Sequence, residues 1–237
     1  MALIEFYQVT KQFKERKIIK NMNFKIKENE IVALLGKNGA GKTTTIRLLL
    51  GIINPDRGNI ISGISDFNKK VGAQLQTTPF FEALDIIDNL KLFATFYGVT
   101  LSENEIEKLL KERNLYEARK TKAAKLSLGQ QKRLAIIITT IHQPDLVILD
   151  EPSAGLDPSG QRDVQNMIQR LKQEGKSVLF ASHDMLEVKN TADRVLFLHE
   201  GTILESGSPN ELIEKYQVAN LEELFYGLTV NKENANV

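Results

Sequence analysis

Apolar and polar residues alternate from Leu3 to Val9 and again from Met22 to Ile26, the period of strands with one buried face. Ile31 to Leu35 and Leu146 to Leu149 are apolar without a break, and Ser177 to Ala181 nearly so, as in strands covered on both faces. Thr43 to Leu50, Leu134 to Ile141 and Pro158 to Glu174 read as helices. The last of these lies between two buried runs and makes a βαβ crossover, so the alternation predicts an α/β fold with parallel strands. The range 77–125 differs, with helical patterning and no convincing strand. Within it, Ser102-Glu103-Asn104-Glu105 is a capping box ahead of Ile106, Leu109 and Leu110. These features predict one domain over 1–230, in which a helical subdomain (77–125) is inserted between the core segments 1–76 and 126–230. Ser208-Pro209-Asn210-Glu211 and Asn220-Leu221-Glu222-Glu223 each start a short helix, and the polar stretch 231–237 is expected to fray.

Composition narrows the function classes. The 237 residues carry 31 Lys plus Arg against 30 Asp plus Glu, so the chain lacks the positive field of non-specific nucleic-acid binding, and no nucleic-acid partner is expected. With no cysteine there are no disulfides, thiolate metal sites or cysteine nucleophiles. No signal peptide is visible at the start, and the longest apolar-leaning run, Leu134 to Ile141, is 8 residues where a bilayer needs about 20. A soluble, cytoplasmic chain is expected.

The chemistry starts after the first buried run. Gly36-Lys37-Asn38-Gly39-Ala40-Gly41-Lys42-Thr43, followed by Thr44, has a strand before it and a helix after it. Gly, four residues, then Gly-Lys-Thr is the phosphate-loop (Walker A) pattern, in which backbone N–H groups and a helix N-terminus face anionic oxygens. Lys42 reaches the β and γ phosphates and the Thr43 hydroxyl suits Mg²⁺. Leu146-Val147-Ile148-Leu149 ends in Asp150-Glu151, two acids that a strand points in opposite directions. Asp150 fits the acid that holds Mg²⁺, and Glu151 is placed to polarise a water for attack on the γ-phosphate. Without the phosphate loop upstream, the pair reads simply as the start of a solvated loop.

Between these motifs stands Leu126-Ser127-Leu128-Gly129-Gln130-Gln131-Lys132-Arg133, in which Ser127 is a natural helix N-cap. The phosphate loop, Gln76, this stretch, Asp150-Glu151, Ser153-Ala154-Gly155-Leu156-Asp157 and His183 follow one another in a fixed order. In that order the sequence resembles the nucleotide-binding domain of the ATP-binding cassette (ABC) ATPases, from about Leu3 to Leu224. The resemblance implies a P-loop NTPase (RecA-like) core with an N-terminal antiparallel β subdomain and the inserted helical subdomain. ATP and Mg²⁺ are the implied ligands.

Residue roles follow from the same resemblance. Phe13 stands where the family stacks an aromatic on adenine, the alternative being an ordinary core Phe. Gln76 takes the place of the glutamine that senses the γ-phosphate and Mg²⁺, with Gln74, on the same strand face, as the competing assignment. His183 matches the switch histidine at the γ-phosphate. The catalytic set is then Glu151, His183, Gln76 and Lys42, and the metal set Thr43, Gln76 and Asp150. The family works as a head-to-tail dimer, so Ser127, Gly129 and Gln130 serve the partner's nucleotide and Asp157 joins the interface. The partner is a second copy or a close paralogue.

Two departures stand out. Leu128 replaces the first glycine of the usual Leu-Ser-Gly-Gly-Gln; it is harmless at ordinary helical dihedrals and obstructive if the backbone must approach phosphate. Only 32 residues, positions 44 to 75, separate Thr43 from Gln76, which implies a trimmed loop around Gly63 to Lys70.

Within this family the chain is either the motor of a transporter, docked on an integral membrane permease at the inner face of the cell membrane, or a soluble ATPase acting on a macromolecular complex. A degenerate cassette is disfavoured by the presence of Lys42, Asp150, Glu151 and His183. The soluble types carry two cassettes or a long coiled-coil interruption, and this chain has neither. Thr77-Thr78-Pro79-Phe80-Phe81-Glu82 puts apolar bulk where the family docks the permease, although Phe80 and Phe81 could equally pack the helical subdomain itself. Lys108 to Lys125 holds seven basic residues against Glu112 and Glu117, which reads as a solvated helical surface. Asp88 to Gly98 resembles the drug, bacteriocin and lipid exporter branch.

Overall fold

The computed structural model describes residues 2–77 and 79–234. In chain order the first half runs β1 (Ala2–Phe13), β2 (Arg16–Lys27), β3 (Ile31–Leu35), α1 (Lys42–Leu49), β4 (Arg57–Ser62), α2 (Phe67–Lys70), β5 (Val71–Gln74), α3 (Ile86–Phe96) and α4 (Glu103–Glu112). The second half runs α5 (Leu128–Thr140), β6 (Leu146–Asp150), α6 (Pro158–Gln173), β7 (Ser177–Ser182), α7 (Met185–Thr191), β8 (Arg194–His199), β9 (Thr202–Gly207), α8 (Pro209–Tyr216) and α9 (Leu221–Asn234).

Two sheets carry the architecture. β1 and β2 pair antiparallel, with Phe6 opposite Phe24 and their rings stacked at 4.3 Å, and β4 covers the other edge of β1. This is the antiparallel subdomain that the family resemblance implied. The larger sheet runs β5-β6-β7-β3-β8-β9, parallel apart from β9. The helix α6 crosses from β6 to its neighbour β7, as the patterning predicted.

Pleating divides β3 between two cores. Ile31, Ala33 and Leu35 pack towards α5 and α6, whereas Val32 and Leu34 pack towards the small sheet and α1. Every residue of β3, β6 and β7 is buried, which explains their unbroken apolar runs. The inserted helices share the first core: Ile86, Leu90 and Ala94 of α3 and Ile106 and Leu110 of α4 join Leu134 and Ile136 of α5. At Gly72 of β5, a Cβ would lie 2.1 Å from the Thr139 carbonyl oxygen, so α5 crosses the strand where only glycine fits. Both capping boxes form, Ser102 with Glu105 and Ser127 with Gln130.

Several details depart from expectation. β5 ends at Gln74, so Gln76 lies beyond the strand and the two glutamines share no face. Gln74 is buried with its amide unpartnered, whereas Gln76 is exposed. The strands β8 and β9 and the helix α7 went unread in the sequence. The shortened segment before β5 folds into the single turn α2. Helix α9 continues through Asn234, past the point where fraying was expected to begin; 235–237 and Thr78 lie outside the described residues.

Candidate active site

The strand order β6-β7-β3 sets three carboxyl ends side by side, and the chemistry collects there. Leu35 pairs with Ser182 and Asp150 with Ala181, so the phosphate loop, Asp150-Glu151 and Ser182-His183 leave the sheet at one level. The Gly36 N–H donates to the Ser182 carbonyl at 3.2 Å, pinning the loop to β7. Gly39 and Gly41 adopt φ of 81° and 114°, which only glycine takes freely, and the loop closes into α1.

Lys42, in the first turn of α1, is 7% exposed. Its ammonium donates to the Gly36 carbonyl at 2.7 Å and meets Glu151 Oε1 at 3.1 Å. Glu151 Oε2 lies 2.6 Å from His183 Nδ1, so one carboxylate bridges the lysine and the imidazole. Glu151 holds a left-handed φ of 55°, which costs a non-glycine residue free energy and turns the chain sharply out of β6. Its N–H donates to the Ala181 carbonyl at 3.1 Å, and its own carbonyl accepts from the Lys132 ammonium at the same distance.

Asp150 is fully buried. Its Oδ2 accepts from the Thr43 hydroxyl at 2.9 Å, while Oδ1 has no partner. Burial pushes this carboxyl above the usual carboxylate range, partly offset by the Thr43 hydrogen bond. The Gln76 amide comes within 3.5 Å of the same hydroxyl. An orphaned carboxylate oxygen beside a hydroxyl offers the hard oxygen donors that a small cation takes, so Asp150 and Thr43 fit Mg²⁺, and Gln76, whose NH2 now faces that hydroxyl, would join them through its oxygen on turning its amide.

A cavity of about 540 Å³ opens over the loop, bounded by Phe13, Lys37, Asn38, Thr43, Thr44, Gln76 and Glu151. Phe13 is half exposed at its rim rather than in a core. Arg16 and Ile18 of β2 also line the cavity; neither belongs to a motif, and the signal for them in the sequence is their nearness to Phe13 across the hairpin. Of the expected ATP-binding set, Ala40 is buried behind the loop, and the Gly201 N–H donates to its carbonyl.

The signature residues lie apart from this cavity. Ser127 caps α5, its hydroxyl accepting from the Gln130 N–H at 3.3 Å while Gln130 Oε1 accepts from the Ser127 N–H at 2.9 Å. Ser127 is exposed, and its hydroxyl proton remains available to an outside acceptor. Leu128 is 44% exposed in the first turn of α5, and its Cδ2 would lie 3.2 Å from a Cβ added at Gly155. Asp157 caps α6 by accepting from the Gly160 N–H at 3.0 Å.

A family model described as ABC transporter matches residues 19–154. The chain is 35% identical to the lantibiotic transport ATP-binding protein SrtF of Streptococcus pyogenes, over 94% of this chain and 96% of that one. It is 37% identical to the bacitracin transport ATP-binding protein BcrA of Bacillus licheniformis, over 86% of this chain and 69% of that one. A solved ATP-binding subunit of an ABC transporter superposes with a TM-score of 0.83 at 28% identity, covering 96% of this chain and all of the other. The chain therefore belongs to the ABC transporter family, as an ATP-binding subunit that hydrolyses ATP to power transport.

Proposed function

We propose that the chain drives export through a separate integral membrane permease, docked at the inner face of the membrane, and that two cassettes close head to tail around two ATP molecules. The observation that carries the catalytic part is the Glu151 carboxylate, held between Lys42 and His183 at the mouth of the loop. Lys42 and the loop N–H groups bind the β and γ phosphates, and Phe13 stacks on the adenine. Thr43, Asp150 and Gln76 would hold Mg²⁺, which supplies charge neutralisation on the phosphates when bound. Glu151 accepts the proton of the attacking water, and His183 donates to the γ-phosphate. Ser127 and the amino end of α5, with Gly129 and Gln130, meet the γ-phosphate of the partner's ATP, and Asp157 lies at the same interface.

Export is supported by relatives that include Nod factor export ATP-binding proteins, and docking on a permease by an aromatic group on the inserted segment. Phe81 and Phe93 lie 6.0 Å apart and Phe93 and Phe96 5.6 Å apart, with Phe81 and Phe96 exposed. Fully buried Asn89 clamps the loop bearing Phe81: its Oδ1 accepts from the Phe81 N–H at 2.8 Å and its Nδ2 donates to the Phe81 carbonyl at 3.0 Å. A permease segment with an apolar face fits there. No helix among the described residues is long and apolar enough to cross a membrane.

The decisive variant is Glu151→Gln. Turnover should fall by roughly 100-fold or more with ATP still bound, and ATP should drive dimer formation. Near-normal turnover would remove Glu151 as the base. A photocrosslinker at Phe81 in that variant should capture an integral membrane protein, and capture of a soluble complex would overturn the transport reading alone.

A further inference from the structure

Beneath the reacting groups lies a layer of buried polar side chains that the scheme above leaves unused. Lys132, in the second turn of α5, is 8% exposed, and its ammonium donates to the Glu151 carbonyl at 3.1 Å. Glu187 of α7 is 4% exposed and accepts from the Ser182 hydroxyl at 2.5 Å. Ser153, equally buried, stands beside the Glu187 carboxyl from the loop after Glu151. Charges at this depth are costly. Burial pushes the Lys132 ammonium below its ordinary range, against the pull of Glu151, Asp150 and Glu187. Burial likewise pushes the Glu187 carboxyl up, against its contacts with Ser153 and Ser182. An apolar side chain of similar volume would fill the Lys132 position without this penalty.

The placement explains what the lysine does. Glu151 needs outside support because its backbone sits in the left-handed region. The Ala181 carbonyl holds its N–H from β7, and Lys132 holds its carbonyl from α5. The same helix begins at Ser127, five residues earlier and about one and a half turns away. We propose that Lys132 is a positioning residue that ties the signature end of α5, which serves the partner's nucleotide, to the backbone of Glu151, which serves the chain's own. On the other flank Glu187 holds Ser182, the residue before His183. Ser182 stands between Ala181, which holds the Glu151 N–H, and His183, which meets its carboxylate, so the turn is supported on both flanks, and a shift of α5 on engaging the partner's phosphate is transmitted through one hydrogen bond.

The inference rests on the roles proposed above for Glu151 and Ser127, and a double-mutant cycle separates its failure from theirs. In the full chain, Lys132→Met should keep the melting temperature and keep ATP affinity within about twofold, while kcat falls roughly ten- to hundredfold. Lys132→Arg should restore most of that loss. In a Glu151→Gln background, followed under single-turnover conditions, Lys132→Met should cost almost nothing further. Its effect should also be less than additive with Ser127→Ala. A kcat for Lys132→Met within twofold of the starting protein overturns the proposal, as does an equal loss in both Glu151 backgrounds. A fall in melting temperature that Arg does not rescue marks a structural lysine and also overturns it. Should the Met variant not fold, Lys132→Gln, uncharged and one bond too short to keep the contact with the Glu151 carbonyl, takes its place under the same criteria. Normal turnover of Glu151→Gln alone would instead sink the reading of the base.

Discussion

At the phosphate-loop end most of the reacting side-chain groups already have partners within the chain, Asp150 Oδ1 excepted. Lys42 meets Gly36 and Glu151, Thr43 meets Asp150, and Glu151 meets His183. At the signature end, Ser127 and Gln130 satisfy only each other, Leu128 is 44% exposed, and the serine proton points to no acceptor. One end is complementary to itself and the other to something outside the chain. Binding ATP should therefore be a property of one protomer, whereas hydrolysing it should need two, and variants at the two ends should fail in different assays.

The largest expected effect comes from breaking the self-contained end. Lys42→Ala removes a charge-assisted contact to phosphate, and ATP affinity should fall roughly ten- to hundredfold, as read by fluorescent-nucleotide titration. Unchanged affinity would contradict the loop assignment. At the other end, Ser127→Ala should leave single-protomer affinity within twofold and weaken ATP-driven dimerisation about tenfold. The alanine also deletes a helix cap worth about 1 kcal/mol, so Ser127→Asp sharpens the test. Aspartate preserves the cap and repels phosphate, so it should keep the melting temperature and still lose the dimer by size-exclusion chromatography. The smallest effect is expected for Leu128→Gly, an exposed position leaning on Gly155, where steady-state ATPase activity should change by only about twofold. A gain well beyond that would mean the leucine obstructs the partner's phosphate.

Much of this division was legible in the residues, for identifiable reasons. β3, β6 and β7 announce themselves because burial on both faces forces unbroken apolar runs. The boxes at Ser102 and Ser127 are local hydrogen-bond patterns that need no tertiary contact. The β8 strand was harder: Val195 to Leu198 is a short apolar run whose length alone separates neither strand from helix. Lys132 and Glu187 were illegible as single residues, because a charged side chain on a helix is by default solvent-facing. A clue was present in α5 itself, where Leu134-Ala135-Ile136-Ile137-Ile138 follows the lysine with no polar face, the mark of a helix whose later turns are covered all round. Gln76 and Gln74 could be separated only by the end of β5, a boundary no local pattern marks.

The bridge formed by Glu151 also bears on which solutes the site ignores. Any anion entering the loop competes with a carboxylate already seated between Lys42 and His183. A singly charged solute such as chloride would only exchange one like pairing for another and gain little. A triphosphate brings several charges and many acceptor oxygens, and it can satisfy the lysine, the imidazole and the loop N–H groups together. Displacing the chain's own carboxylate from this seat therefore favours a polyanion over a small ion.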